Sequence, residues 1–346
     1  MKKTLLALAV LGAISGSAAA QTNVTVYGLM DLGYVRESGS PAVGSVNKLT
    51  SGIANGSRVG FRGTEDLGGG LSALFTIESG FQADTGVMGQ GGLLFGRQAF
   101  VGLQGGFGSV KLGRQYTPID VTLGAIDPFG NGLTAKTVNL FARGYVSRFD
   151  NGILYTTPKF GGFQADLGYG FGEVAGNNSA GRYLGGSVSY AAGPINVRLA
   201  YQDTNTRPTA AGVTPAVLAG SDQNLVLGAT YNFGVATLHA AYGRTEADRG
   251  VTTTAEFDDA MIGVTVPVGA GRFLANYVRR NDDLATNDAN FYGIGYMHAL
   301  SKRTTLYTSF GKMSGKGPVS RTYTVGSSIE GGTGNKGLAI GVRHTF

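Results

Sequence analysis

The stretch Ser57-Arg58-Val59-Gly60-Phe61-Arg62-Gly63-Thr64-Glu65-Asp66-Leu67-Gly68 decides the fold. Arg58, Gly60 and Arg62 fall on one side of a period-two pattern, and Val59 and Phe61 fall on the other. Runs of about ten residues with one apolar face and one polar or small face mark a strand between hydrocarbon and water. A soluble sandwich shares that alternation, so the number and spacing of the runs must decide. Val24 to Tyr34 repeats the pattern, with Val24, Val26, Met30 and Leu32 set against Thr25, Tyr27 and Asp31. At the other end Leu338, Ile340, Val342, His344 and Phe346 alternate with Ala339, Gly341, Arg343 and Thr345.

Working outward, short turns recur at Leu67–Gly70, Gly105–Gly108, Gly161-Gly162, Gly193-Pro194, Asn232–Gly234, Gly269–Gly271 and Leu300–Lys302. Each interval between them holds two strands around a longer polar loop. Seven turns joining eight such hairpins make 16 strands, more than one open sheet carries without splitting. Alternating short turns and long loops predict an all-β, 16-stranded antiparallel transmembrane barrel, turns on the periplasmic side and loops outside. Phe160, Phe163, Tyr190, Phe233, Phe273 and Tyr307 crowd the turn-proximal ends and read as an interfacial girdle.

Composition agrees. There are 59 glycines in 346 residues, against a usual level of roughly 7%. The 42% of hydrophobic residues and a mean hydropathy of +0.04 exclude a disordered chain. With no Cys and three His, a disulfide framework, a thiolate nucleophile and a Cys-ligated metal are ruled out, and no cofactor is expected. Met1-Lys2-Lys3, the apolar Leu5–Ile14 and Ala18-Ala19-Ala20 form a cleaved export signal over residues 1–20, leaving one domain over 21–346. Losing Lys2 and Lys3, and no acid, lowers the formal charge from +6 to +4. Without a Lys/Arg run, this gives no reason to expect nucleic acid.

The widest interval contains an excursion over about residues 117–143, with Pro118, Asp120, Asp127, Pro128, Gly130, Gly132 and Lys136. A loop of that length is uncommon unless functional. We read it as folding into the lumen and presenting Asp120 and Asp127 as a negative edge.

Together with Phe95–Leu103, Gly106–Gly108 and Leu112-Gly113-Arg114, the run Ser57–Gly68 resembles the general diffusion porins of Gram-negative bacteria, above all the neisserial and β-proteobacterial branch. The likeness extends to Val24–Gly28, Asp127–Gly130 and the terminal Phe346. It implies a homotrimer in the outer membrane, in contact with its lipid and lipopolysaccharide. It also implies a third loop folded inward opposite basic wall residues, which by position are Arg58, Arg62, Arg97 and Arg148. Family members often carry Glu in a Pro-Glu-Phe-Gly-Gly loop motif, whereas Asp127-Pro128-Phe129-Gly130-Asn131 has its acid one step before Pro.

The period supports the basic wall. Arg58 and Arg62, four apart, face the same way, and Arg97 is placed with Ala99. An Arg facing lipid near midplane costs about 2–4 kcal/mol, so these arginines line water. Such charges in a narrow pore concentrate anions and oppose cations; alternatively they are ordinary lumen charges paired to acids. Arg114 has the outward parity of Val110 and Leu112, which suggests a trimer contact. Asp258-Asp259 and Asp282-Asp283 flank external loops, as solvated acids or as divalent-cation ligands. No hydrolase, metalloprotease or P-loop motif occurs, so we expect no enzyme. Two readings compete: a passive, weakly anion-preferring channel for ions and small hydrophilic solutes, and a substrate-selective channel for organic acids or sugars. Phe346 and the outward pattern before it are read as the assembly signal.

Overall fold

Alternating apolar and polar residues run through one continuous antiparallel sheet. The computed structural model describes residues 23–40, 44–206, 220–248, 254–283, 288–315, 325 and 332–346, so the export signal at 1–20 lies outside the described residues. The segments are β1 (Asn23–Ser40), β2 (Gly44–Ser51), β3 (Arg58–Gly68), β4 (Leu71–Gly80), β5 (Gln98–Gly105) and β6 (Gly108–Tyr116). A helix, α1 (Pro118–Ile126), precedes β7 (Arg148–Phe149), β8 (Gly152–Thr156), β9 (Phe163–Gly170), β10 (Tyr183–Ala192), β11 (Ile195–Asn205) and β12 (Ser221–Asn232). Then come β13 (Thr237–Asp248), β14 (Thr254–Val268), β15 (Gly271–Asp282), β16 (Ala289–Ala299), β17 (Thr304–Gly315) and β18 (Lys336–Thr345).

Two pairs of segments each make one wall strand. β1 pairs with β3 through Asn23–Leu29 and with β2 from Leu32 on, so β2 and β3 are halves split by Gly52–Ser57. Similarly, β6 pairs with both β7 and β8. The wall therefore has the 16 strands expected, and it closes where β1 meets β18, from Leu29↔Thr345 to Ser38↔Lys336. All seven expected turns join strands of the wall.

The outward face is apolar. Val26, Val101, Leu167, Ile262, Ile294 and Ile340 are each more than half exposed, a belt whose burial is favourable only in hydrocarbon. At the turn end Phe163 packs on Tyr190 at 4.7 Å, Tyr231 on Phe233 at 4.5 Å and Phe273 on Tyr296 at 4.6 Å. Tyr307 corrects the girdle. Its parity is opposite to that of the outward Leu306; it is 3% exposed and donates to Asp31. That bond reaches from β17 over β18 to β1 and so ties the closing seam. Asp31 Oδ2 also accepts the backbone N–H groups of Ala54 and Asn55, at 2.8 and 2.7 Å, which holds the interruption between β2 and β3.

Phe346 completes the seam. Its N–H and carbonyl exchange hydrogen bonds of 3.1 Å with Gly28, and its ring fills the space a Cβ at Gly28 would need. Gly28→Ala should therefore push the ring off and lower the temperature at which the folded form converts to the unfolded band on a semi-native gel.

Candidate pore constriction

The excursion after β6 is built to leave the wall. Thr117 caps α1, its Oγ1 accepting the Asp120 N–H at 3.3 Å, with Pro118 in the first turn. The helix ends at Asp127, because a residue before proline disfavours the helical region. Ile119, Leu123 and Ile126 are buried with Ala200 and Val226 of the wall. Asp127, expected to present a negative edge to the lumen, is instead buried, its carboxylate consumed by the loop itself. It accepts the N–H groups of Phe129 and Asn131 at 3.0 Å and of Thr137 at 3.1 Å, and the Thr137 hydroxyl at 2.6 Å. Its place one step before Pro128 aims it at the backbone of the turn that follows.

The rest of the loop lies on wall positions whose parity is opposite to the apolar belt. A Cβ at Gly228, Gly263, Gly293 or Gly311 would strike Ile126, Pro128, Ala135 or Thr134 respectively. These glycines are room for the loop, not turn residues. His239 bonds the Ile126 carbonyl at 2.8 Å, and Asn276 donates to the Ala135 carbonyl at 3.0 Å and to Thr137 Oγ1 at 2.8 Å. Thr134 and Ser309 share a 2.8 Å hydroxyl contact, and Leu133 N–H donates to the Ile53 carbonyl at 2.7 Å. Asp259, expected among rim acids, is instead buried: Asp258 keeps outward parity while its neighbour turns inward. The buried Arg280 donates to both Asp259 oxygens at 2.8 and 2.7 Å and to the Leu140 carbonyl, and Asp259 accepts the Ala142 N–H at 2.8 Å.

Between loop and near wall is a cavity of about 750 Å³. Arg58, Arg97 and Arg148 line it from the wall, Asp120 and Lys136 from the loop. Tyr116 organises the arginines. Its hydroxyl accepts from Arg97 and, at 2.7 Å, from Arg148, whose guanidinium lies 4.3 Å from the ring centroid. Glu78 holds Arg97 from behind at 2.7 Å and takes the Tyr27 hydroxyl at 2.9 Å. Burial pushes the Asp120 carboxyl up, against a 2.9 Å bond from Tyr145 and the pull of Arg148 and Arg97. Burial also brings the Lys136 ammonium down to about 8, opposed by Asp127.

The structure thus brings together Arg58, Arg97, Arg148 and Asp120. Arg62 shares their face but lies outside this cavity, its guanidinium 5.2 Å from the Tyr27 ring. Arg97 arrives for a reason the period did not give. Ala99 shares a face with the exposed Val101, whereas Arg97 precedes β5 in a bend where strand parity no longer applies. Arg114 has the outward parity of Leu112; it pairs with Asp150 and donates to the Gly96 carbonyl at 2.8 Å. Tyr116 was not anticipated, although its position just before a capping Thr-Pro marked the point where the chain leaves the wall; Lys136 was noted only as a residue of the excursion.

A sequence profile of the Gram-negative porins matches residues 7–318. The chain belongs to the Gram-negative porin family. It is an outer-membrane channel. This porin is 35% identical to outer membrane porin protein 32 of Delftia acidovorans over the whole of both chains. It is 32% identical to the major outer membrane protein P.IB of Neisseria gonorrhoeae over 54% of its own chain and 53% of that one. Among solved structures, an anion-selective porin from Comamonas acidovorans superposes with a TM-score of 0.79 at 33% identity, covering 94% of this chain and all of that one.

The clamp on the loop is testable. Arg280→Met leaves Asp259 buried without its cation, which costs about 3–5 kcal/mol. The porin should melt lower and its single-channel current become noisier. Arg280→Met with Asp259→Leu should recover most of the stability, because an apolar pair replaces a buried ion pair at little cost.

Proposed function

We propose that this porin is a passive channel for ions and small hydrophilic solutes, narrowed by the loop at 117–143 and modestly anion-preferring. The observation that carries the reading is the cavity lining, on which Arg58, Arg97, Lys136 and Arg148 meet the carboxylate of Asp120, and the cations still outnumber the acids when Glu78 behind Arg97 and Asp127 near Lys136 are included. Charges fixed on low-dielectric walls raise the local concentration of counter-ions and oppose ions of their own sign. Charges on the barrel's rim contribute little, because salt screens them within about 8 Å. The anion-selective relative from Comamonas acidovorans supports the sign. Arg62 then extends the positive wall beyond the narrowest region, and Asp127 acts by shaping the loop. The binding of organic acids or sugars is not required by this lining.

On this reading three barrels associate side by side in the outer membrane, with Arg114 as the proposed contact to a partner copy and Phe346 as the assembly signal. Removing Phe346 should reduce outer-membrane insertion and trimer yield; unchanged yield would remove that role.

Reversal potential under a salt gradient tests the charge claim. The wild type should favour anions, less so as salt rises, and Arg58→Ser or Arg97→Ser should shift the potential towards cations. A cation-preferring wild type at low salt would refute the reading. The pH dependence has a definite sign. Lys136 loses its proton as pH rises through about 8, so anion preference should fall between pH 7 and pH 9. In Lys136→Met that decline should be absent.

A further inference from the structure

We propose that Lys111, Asp166 and Arg198 form a site for small zwitterions of the α-amino acid class, on the inner wall towards the turn end of the barrel. The strand registers set the three charges in a row. Lys111 of β6 pairs with Leu154, and Thr156, two residues further along β8, pairs with Asp166 of β9. Asp166 pairs in turn with Ser187 of β10, and Ser189, two residues further, pairs with Arg198 of β11. Asp166 therefore stands midway in a diagonal of cation, carboxylate and cation, each step two strands across and two residues along. At ordinary strand spacing and rise such a step is about 12 Å between Cα atoms, which a Lys or Arg side chain spans in part. All three have the parity opposite to the exposed Leu112, Leu167 and Leu199, so they face the lumen, and each is half-buried. They follow closely on the turns at Gly105–Gly108, Gly161-Gly162 and Gly193-Pro194, which places them in the turn-side half of the lumen.

Opposite charges elsewhere inside this barrel touch: Arg97 meets Glu78 at 2.7 Å, and Arg280 meets Asp259 at 2.7 Å. Here both cations feel the charge of Asp166, yet among the described residues no ion pair joins the three. Neutral neighbours hold each of them apart. The Thr156 and Ser187 hydroxyls donate to the two Asp166 oxygens at 2.6 and 2.8 Å. The Lys111 ammonium lies 5.3 Å from the Phe100 ring centroid, and Arg198 Nε donates to Asn196 Oδ1 at 3.2 Å. A carboxylate, an ammonium and a guanidinium each have more hydrogen-bonding positions than these contacts fill. A simple anion meets repulsion from Asp166, and a simple cation meets repulsion from the flanking pair. A molecule carrying both charges satisfies the whole row, with its ammonium on Asp166 and its carboxylate on Lys111 or Arg198. Charges already held in place lose little freedom when such a ligand arrives, and their pattern selects it.

The site rests on the reading of the barrel as a passive channel, and the two fail separately: that reading falls on the reversal potential, this one on ligand competition. Folded porin in detergent micelles is titrated at pH 7 with L-alanine, with lactate, which lacks the ammonium, and with alaninamide, which lacks the carboxylate. Binding is read by saturation-transfer NMR of the methyl group that each probe carries. Alanine should bind saturably, and glycine should displace it where lactate and alaninamide at equal concentration do not. Asp166→Asn, which keeps the shape, should weaken alanine binding about fivefold, the upper range for a solvated ion pair. The same variant should strengthen lactate binding, an effect that a merely distorted wall would not produce. Arg198→Gln should weaken alanine binding comparably. Lactate or alaninamide binding as tightly as alanine in the wild type overturns the proposal, even where a variant fails to fold. Absence of saturation with alanine also overturns it, as does wild-type alanine affinity in both variants.

Discussion

The pairing of β1 with β18 is the interaction on which the rest of the molecule depends. Backbone N–H and C=O groups in hydrocarbon find no water, so a sheet that crosses a membrane must leave no edge. Closure then dictates the side chains: every second residue meets lipid and every other one meets the lumen. The seam is secured by more than its ladder. Tyr307 reaches over β18 to Asp31, and Phe346 folds against Gly28. Asp31 meanwhile fixes the backbone at Ala54 and Asn55. The neighbouring Ile53 carbonyl then receives the loop at Leu133.

A 16-stranded wall is too wide to be filled by its own side chains, so its selectivity depends on what is laid inside it. Here that is a loop whose own turn is organised around the buried Asp127. The loop is carried to the far wall by glycine positions that leave it room and is fastened there by Arg280 and Asp259. Rigid fastening matters electrically. Arg97 and Arg148 share the Tyr116 hydroxyl, and only a geometry fixed by neighbours such as Glu78 keeps two guanidiniums so close. A loose loop would leave these wall arginines in place but widen the lumen in front of them, and the potential met by a passing ion would weaken.

The sequence made the wall legible and hid the loop's supports. Turns could be read because Gly, Asn and Pro interrupt a period of two, and Arg58 and Arg62 could be placed because they sit within a regular strand. Parity failed where regularity failed. Arg97 lies in a bend, so its place in the cavity does not follow from Ala99. Tyr307 was assigned by its closeness to a turn, although its parity already pointed inward. Asp258 and Asp259 looked alike as neighbours, yet a strand turns them to opposite faces. The glycine at 263 makes room for Pro128, and the Arg280 guanidinium holds the carbonyl of Leu140. Both partners are more than a hundred positions away, and no local pattern records such a contact.

The central claim is that the loop held across the lumen sets both the width and the charge of the channel. Deleting Asp127–Lys136 and recording single channels in a planar bilayer tests it most directly. The account predicts a barrel that still assembles, with a higher conductance and a weaker anion preference than the wild type. An assembled deletion variant whose conductance and reversal potential match those of the wild type would contradict it.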